Sequence, residues 1–470
     1  MKTFSVAKKA YILFAFCAAT AIVTPAQTFT TLHSFDRTDG NNPIAGLTQG
    51  INGSMYGSTL RGGAYNAGTV FSISANRTVT TLYNFCSEED CADGVGPIAA
   101  LTEDVQGNFY GTTNSGSSEN WGTVFKITPV GVLTTLHSFC LQSGCPDGQL
   151  PSGLVLAADG NFYGITSTGG AHSWGTFFKI TPSGDLTTLY SFNSGNGSPI
   201  SVIQAANGNF YGTSVVGGTE DCGTIFAITP TGVLTTLHSF AGTDGRNPHA
   251  GLIQGVDGNF YGTTAAGGTY TGSFCDYGCG TVFRIAPDGE LTTLHSFDLT
   301  DGAYPYAELI QSTDGNFYGT TTSGGAGDEI NGYGTVFMIT PSGTLTTLHS
   351  FDKKDGTAPH DLAQRTDGSL YGTTYAGGAS RHGTIFRLSV GLGPLARTIP
   401  ASGTVGSSVT ILGTDLTGST KVTFHGIAAT FTVVSASEIT TSVPTGATTG
   451  TVKVVTPSGT LSSNVPFTVN

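Results

Sequence analysis

One short unit recurs seven times along the chain, and this repetition limits the possible folds more than any other feature. The segment LTTLHSF and its variants end at Phe35, Phe85, Phe139, Phe192, Phe240, Phe297 and Phe351, 48 to 57 residues apart. After each comes a proline (Pro43, Pro97, Pro151, Pro199, Pro248, Pro305, Pro359), a short apolar run such as AGLIQ, and then DGNFYGTT or a close relative. The unit closes with a GTVFRI-type segment beginning at Gly68, Gly122, Gly175, Gly223, Gly280, Gly334 and Gly383. Each unit thus holds four short strands separated by DGN and PSG sequences, in which Gly and Asx residues favour tight turns. The GTVF-type strands carry apolar side chains on both faces, as a sheet sandwiched between two neighbours requires. Seven such sheets predict a seven-bladed β-propeller with four-stranded blades over residues 27–390.

The phase of the repeats supports the same reading. The first TTLHSF, residues 28–35, lacks the three strands that should precede it, and the last unit lacks the TTLHSF that should follow it. If this segment is the outermost strand, the N-terminal copy completes the last blade and closes the ring without an orphan edge. An open β-solenoid would leave both ends unpaired. Composition agrees: 10% charged residues and 69 glycines suit short strands and tight turns rather than long helices, so the class is all-β.

Residues 1–26 read as an export signal, with Lys2, Lys8 and Lys9 ahead of an apolar stretch from Ala10 to Val23 and small residues before Gln27. The apolar run is short for a membrane span, and Cys17 follows Phe16, which is a poor context for lipid attachment. The expected product is a monomer, secreted or associated with the cell surface, with no integral span after cleavage. The formal charge of −13 argues against nucleic acid and anionic membranes, both of which need clustered Lys and Arg.

The repeated text DGNFYGTT, GG, GTVF and LTTLHSFD resembles the tandem propeller repeats of exported bacterial proteins called the GloVer (Gloeo-Verruco) type, over roughly residues 28–390. That resemblance implies export and a propeller, and it carries no catalytic residue with it. After Val390, residues 391–398 read as a linker. Residues 399–470 then show alternating Val, Thr and Ile segments between Gly, Ser and Pro clusters, which predicts an immunoglobulin-like β-sandwich. Pro400 with Gly403, the segment Val409 to Leu416, Val422 with Phe424, and Val443 to Val454 resemble the IPT/TIG family. The resemblance implies a spacer or interaction module. Some members bind DNA, but Lys421 and Lys453 are the only basic residues after Arg397, so that role is not expected here.

The loops after LTTLHSF and those before GTVF should share one face, and they vary in length, whereas the DGN and PSG turns on the other face barely change. Function on a repeat scaffold usually sits on the variable loops. Three features lie there. Asp36, Asp39, Asp93, Asp147, Asp244, Asp298, Asp301, Asp352 and Asp355 could supply oxygens to Ca²⁺, but as Asp-Gly pairs they read first as turn formers. Cys86 with Cys91, Cys140 with Cys145, and Cys275 with Cys279 are expected disulfides in an oxidising compartment. Cys222 is left over, with a bridge to Cys275 or Cys279 as the alternative. Third, the residues before each Gly-Thr include Trp121, Trp174, Tyr333 and His382, which could stack on sugar rings or else cap the core between blades.

The histidines of the LHSF slot (His33, His137, His238, His295, His349) alternate with Tyr83 and Tyr190 and read as structural. No nucleophile elbow, metalloprotease helix or phosphate loop is present, and no catalytic residue, metal or cofactor is assigned. The residues that break the repeat symmetry (Glu88, Glu89, Glu119, Glu220, His172, His382) are scattered. The expectation is an exported, non-catalytic binding or adhesion protein whose loop face recognises a glycan or protein. The alternatives are a structural envelope component, or a propeller lyase or glycosidase acting on extracellular polysaccharide.

Overall fold

A computed structural model describes residues 27–116, 121–270, 272, 274–326 and 332–470. The expected export signal and Glu119 lie outside them. Among the described residues the chain is all-β apart from a single 3-10 turn at Glu89–Cys91. Residues 27–390 form seven antiparallel sheets, one per repeat. The third is representative: Gln149–Leu156, Phe162–Thr168, Thr176–Ile180 and Leu186–Ser191 pair in sequence order. In the second, the innermost strand is split into Val95–Pro97 and Thr102–Glu103. The seventh takes its outer strand from the other end of the chain: Thr28–Ser34 pairs with Thr384–Ser389, from Thr28 opposite Ser389 to Ser34 opposite Thr384.

The Phe-Tyr-Gly of the second strand explains how neighbouring sheets pack. Successive strand residues point to opposite faces, so the Phe meets the preceding sheet and the Tyr the following one. Tyr56 lies on Phe109 with ring centroids 4.1 Å apart, Tyr110 on Phe162 at 4.1 Å, Tyr163 on Phe210 at 4.4 Å, Tyr211 on Phe260 at 4.0 Å, and Tyr261 on Phe317 at 4.0 Å. Two units replace the Phe, and there Leu370 joins the cluster of Tyr318 while Met55 joins that of Tyr371. The glycine of the motif has ordinary backbone angles but no room for a side chain. A Cβ on Gly111 would sit 2.5 Å from Phe125 Cζ and 2.9 Å from Leu101 Cδ2. Both neighbours are core side chains, so Gly111→Ala is expected to cost about 1–3 kcal/mol by overpacking, read as a lower midpoint in urea.

A second contact runs from each sheet to the next. The Gly that opens the GTVF strand packs flat against the proline of the following unit: a Cβ on Gly68 would lie 2.7 Å from Pro97 Cδ. The same pairing joins Gly122 to Pro151, Gly175 to Pro199, Gly223 to Pro248, Gly280 to Pro305 and Gly334 to Pro359, and finally Gly383 to Pro43. The last sheet therefore touches the first. Gln49 also crosses that junction, accepting from the Thr366 backbone N–H at 2.9 Å and donating to its hydroxyl at 3.0 Å.

The C-terminal domain is a sandwich of two four-stranded sheets with a separate two-stranded pair, around a core that includes Val409, Ile411, Phe424, Ile439, Val454 and Phe467. It begins two residues earlier than the sequence suggests, because Arg397–Ile399 already pairs with Ser408–Leu412. The expected linker, residues 391–398, is not a loose tether: Leu395 and Ala396 are fully buried, and the Leu395 N–H reaches Thr366 O at 3.0 Å. The sandwich rests on the tight-turn face. Arg397 Nη1 donates to Gln49 O at 2.7 Å, and Asn464 Nδ2 donates to Gln311 O at 3.1 Å.

Candidate functional site

The loop aspartates are spent locally. His33, His137, His238, His295 and His349 each place Nε2 2.6–2.9 Å from Oδ2 of Asp39, Asp147, Asp244, Asp301 and Asp355. The other oxygen of each takes a backbone N–H, as in Ala241 N to Asp244 Oδ1 at 2.8 Å. Where tyrosine replaces histidine, its hydroxyl reaches the equivalent position: Tyr83 donates to Asp93 Oδ2 at 2.8 Å and Tyr190 to Asn196 Oδ1 at 2.9 Å. The slot needs an aromatic body with a donor at its tip. His238→Tyr should therefore be nearly neutral, whereas His238→Leu should cost about 1.5–3 kcal/mol, the range for a hydrogen bond to a charged group, both measured by urea unfolding. Among the described residues no group of three or more His, Cys, Asp or Glu is placed to hold a metal ion.

Disulfides join Cys86 to Cys91, Cys140 to Cys145 and Cys275 to Cys279. Cys222 is unpaired and buried in an apolar cluster, so the alternative bridge to Cys275 or Cys279 is not formed.

The residues before each Gly-Thr form a rim on the long-loop face. The carbonyls of Ala67, Trp121, Cys222, Cys279, Tyr333 and His382 accept from the start of the next unit, as Leu150 N to Trp121 O at 2.9 Å and Asn42 N to His382 O at 3.0 Å. Ala67, Cys222 and Cys279 are buried there. Tyr333 is half-buried against the core between the sixth and seventh sheets, with the Lys353 ammonium over its ring, and His382 is held by Asn41 at 3.1 Å. Only the two tryptophans project, Trp121 with 48% and Trp174 with 36% of its surface exposed. Glu88 and Glu89 share one exposed loop, while Glu220 and His172 are exposed on two others, and the three loops are not brought together.

Inside the rim lies a cavity of about 500 Å³ lined by residues from all seven units. Here the repeat symmetry breaks. The residue after the proline is Ile44, Ile98 and Ile200 in the first, second and fourth units and Ser152 in the third, but His249, Tyr306 and His360 in the last three. Nearer the centre, the residue before the recurring Leu or Val of the inner strand is small in five units (Gly46, Ala100, Gly153, Ser201, Gly251) and acidic in two, Glu308 and Asp361. Glu308 reaches past Gly251, where a Cβ would collide with its Oε1, and accepts from Ser201 Oγ at 3.0 Å. Its backbone N–H donates to Asp361 Oδ1 at 3.1 Å.

Enclosure controls the charge of these groups. Burial pushes Glu308 up to about 7, and the nearby Asp361 charge adds to the effect. Burial likewise pushes Asp361 up to about 6, against backbone N–H bonds from Glu308 and Gly46 that favour its ionised form. It also pushes His360 down to about 4 and lowers His249, so both imidazoles are neutral at pH 7. A wider cavity of about 670 Å³ lies where the sandwich meets the propeller-like domain, but its lining is mostly apolar and backbone, with Glu308 the only carboxylate. The chemistry therefore concentrates in the axial cavity. None of its polar residues falls in a known motif. They become visible only when the columns between Pro and Leu are compared across the seven repeats.

Two successive matches to the Gloeobacter/Verrucomicrobia repeat span residues 19–201 and 195–386. The chain belongs to the Gloeobacter/Verrucomicrobia repeat family. Residues 397–469 match the IPT/TIG domain, with the start that the strand pairing gives. Comparison with curated proteins finds no match. Among solved structures, virginiamycin B lyase from Staphylococcus aureus is similar with a TM-score of 0.51 at 16% identity, over 77% of this chain and 99% of the lyase. The extracellular domain of a hybrid two-component system from B. thetaiotaomicron gives 0.51 at 12% identity, over 90% of this chain and 52% of its own. A fungal alcohol oxidase of the AA5 family, in complex with copper, gives 0.50 at 12% identity, over 94% and 97%. At these identities the likeness is one of fold.

Proposed function

We propose that this protein is an extracellular binding protein that takes its ligand at the mouth of the axial cavity on the long-loop face. The observation that carries this reading is the broken symmetry of the cavity: three adjacent units place His249, Tyr306, Glu308, His360 and Asp361 where the others carry Ile, Gly, Ala or Ser. A repeat packed only for stability has no use for two enclosed carboxylates in one cavity. Trp121 and Trp174 on the rim offer flat apolar faces to the same ligand. The three disulfides favour an oxidising, extracellular setting, and the C-terminal sandwich, seated on the opposite face, leaves the loop face open as a spacer domain would.

The test is a screen of glycans and small metabolites against the parent, a Trp121→Ala/Trp174→Ala variant and a Glu308→Gln/Asp361→Asn variant. Selective binding by the parent that either variant weakens at least tenfold is the expected result. Equal binding by all three proteins would move the site elsewhere. A second reading, acid–base chemistry on the bound ligand, draws on Glu308 being half-protonated near neutral pH. It requires turnover of the ligand that stops in Glu308→Gln.

A further inference from the structure

The axial cavity has an unusual charge inventory. Two carboxylates face it, and no Lys or Arg is among its lining residues. The other titratable groups facing it are His249, His360 and Tyr306. Among the described residues the two imidazoles find no hydrogen-bond partner; His249 packs on Tyr306 at 4.9 Å and His360 on Tyr375 at 6.3 Å. Neutral imidazole nitrogens and carboxylate oxygens together leave the cavity rich in acceptors and without a compensating cation. From the first, second and fourth units, Ile44, Ile98 and Ile200 give the cavity an apolar wall, interrupted by Ser152 of the third.

Resting on the reading of this face as a binding site, we infer that the axial cavity receives an organic cation: an alkylammonium whose nitrogen sits between Glu308 and Asp361 and whose hydrocarbon part lies along the isoleucines. The ammonium donates to the carboxylates and to an imidazole, and the Tyr306 ring adds a face on which a cation is stable. A bare metal ion meets these requirements poorly. It needs several converging ligands at short range, a grouping not found among the described residues, and it makes no use of the apolar wall.

The experiment is calorimetric titration of the full chain with hexylammonium, and with hexan-1-ol as the neutral counterpart, at pH 8 and pH 5. An alkylammonium keeps its charge at both values, as the lysine side chain does with its pKa of about 10. Rising pH ionises Glu308 and Asp361, so binding should be at least tenfold tighter at pH 8 than at pH 5. It should fall at least tenfold in Glu308→Gln/Asp361→Asn and persist in Trp121→Ala/Trp174→Ala. Equal binding of hexan-1-ol, absence of hexylammonium binding at pH 8, or binding of Ca²⁺ or Mg²⁺ in its place would each overturn the inference. If the cation fails while another ligand binds the parent and not the variants, the cation inference falls and the binding face stands. If no ligand binds the face, both fall.

Discussion

Replacing Glu308 and Asp361 by their amides is expected to stabilise the protein at pH 8 by about 3 kcal/mol, and to change little at pH 4. The sign follows from the direction of the shifts. Both carboxyls are pushed up in the folded state, to about 7 and about 6, above their ordinary values of 4.5 and 3.8. The folded protein therefore holds protons that the unfolded chain releases. The stability this contributes is complete below pH 4 and is lost as pH rises through 6 to 7. An amide never ionises and escapes that loss. Each rise, of a little over two pKa units, is worth up to about 3 kcal/mol at 1.36 kcal/mol per unit; the contributions add, and because both side chains stay part-exposed their sum is discounted to about 3 kcal/mol. Urea unfolding of parent and variant at pH 4, 6 and 8 reads the effect directly. Parallel pH profiles for the two proteins would show that neither carboxyl is held away from its ordinary range. A gain in stability on removing both acids is the pattern expected where a fold keeps a destabilising group for the sake of a ligand.

The second large effect concerns the seat of the sandwich. Arg397 carries its guanidinium into the tight-turn face, where it bonds to Gln49 O at 2.7 Å and lowers the cost of the Glu103 charge. Burial still pushes Glu103 up to about 7, and its Oε2 has no hydrogen-bond partner among the described residues. Arg397→Ala removes the bond and the nearby compensating charge together, and losing a hydrogen bond from a charged donor costs about 1.5–3 kcal/mol. Much of this loss should fall on docking. Calorimetry should resolve two unfolding transitions in place of one, and a protease should gain access to residues 391–396. Adding Glu103→Gln to Arg397→Ala should restore part of the loss, since the stranded charge is then gone. A single unchanged transition in Arg397→Ala would mean that the two domains are held by packing around Leu395 and Ala396 instead.

The repeat architecture was legible because it is redundant. Seven copies of DGNFYG and GTVF report strand position, turn position and burial on both faces, and an error in reading one copy is corrected by the other six. The incomplete first and last units even announced that Thr28–Ser34 would pair with Thr384–Ser389. The local disulfides were equally legible, since spacings of four and five residues leave the cysteines little else to meet. The start of the sandwich was misplaced by two residues because Arg397 and Thr398 look like linker text; only their pairing partner, Ser408–Leu412, makes them a strand.

The candidate site was hidden for the opposite reason. His249, Tyr306, Glu308, His360 and Asp361 fall in two columns that the motif does not define, and the three units that carry them are separated by dozens of residues. By itself the sequence determined the all-β class, the seven units, the strand order within each and the pairing of the chain ends, because these follow from local periodicity and turn chemistry. Only the tertiary structure decided which residues share the axial cavity, because radial convergence brings one position from every unit to a common centre. The same convergence pushes the two carboxyls there up and the two imidazoles down, since the surrounding strands strip part of the water that favours their charged forms.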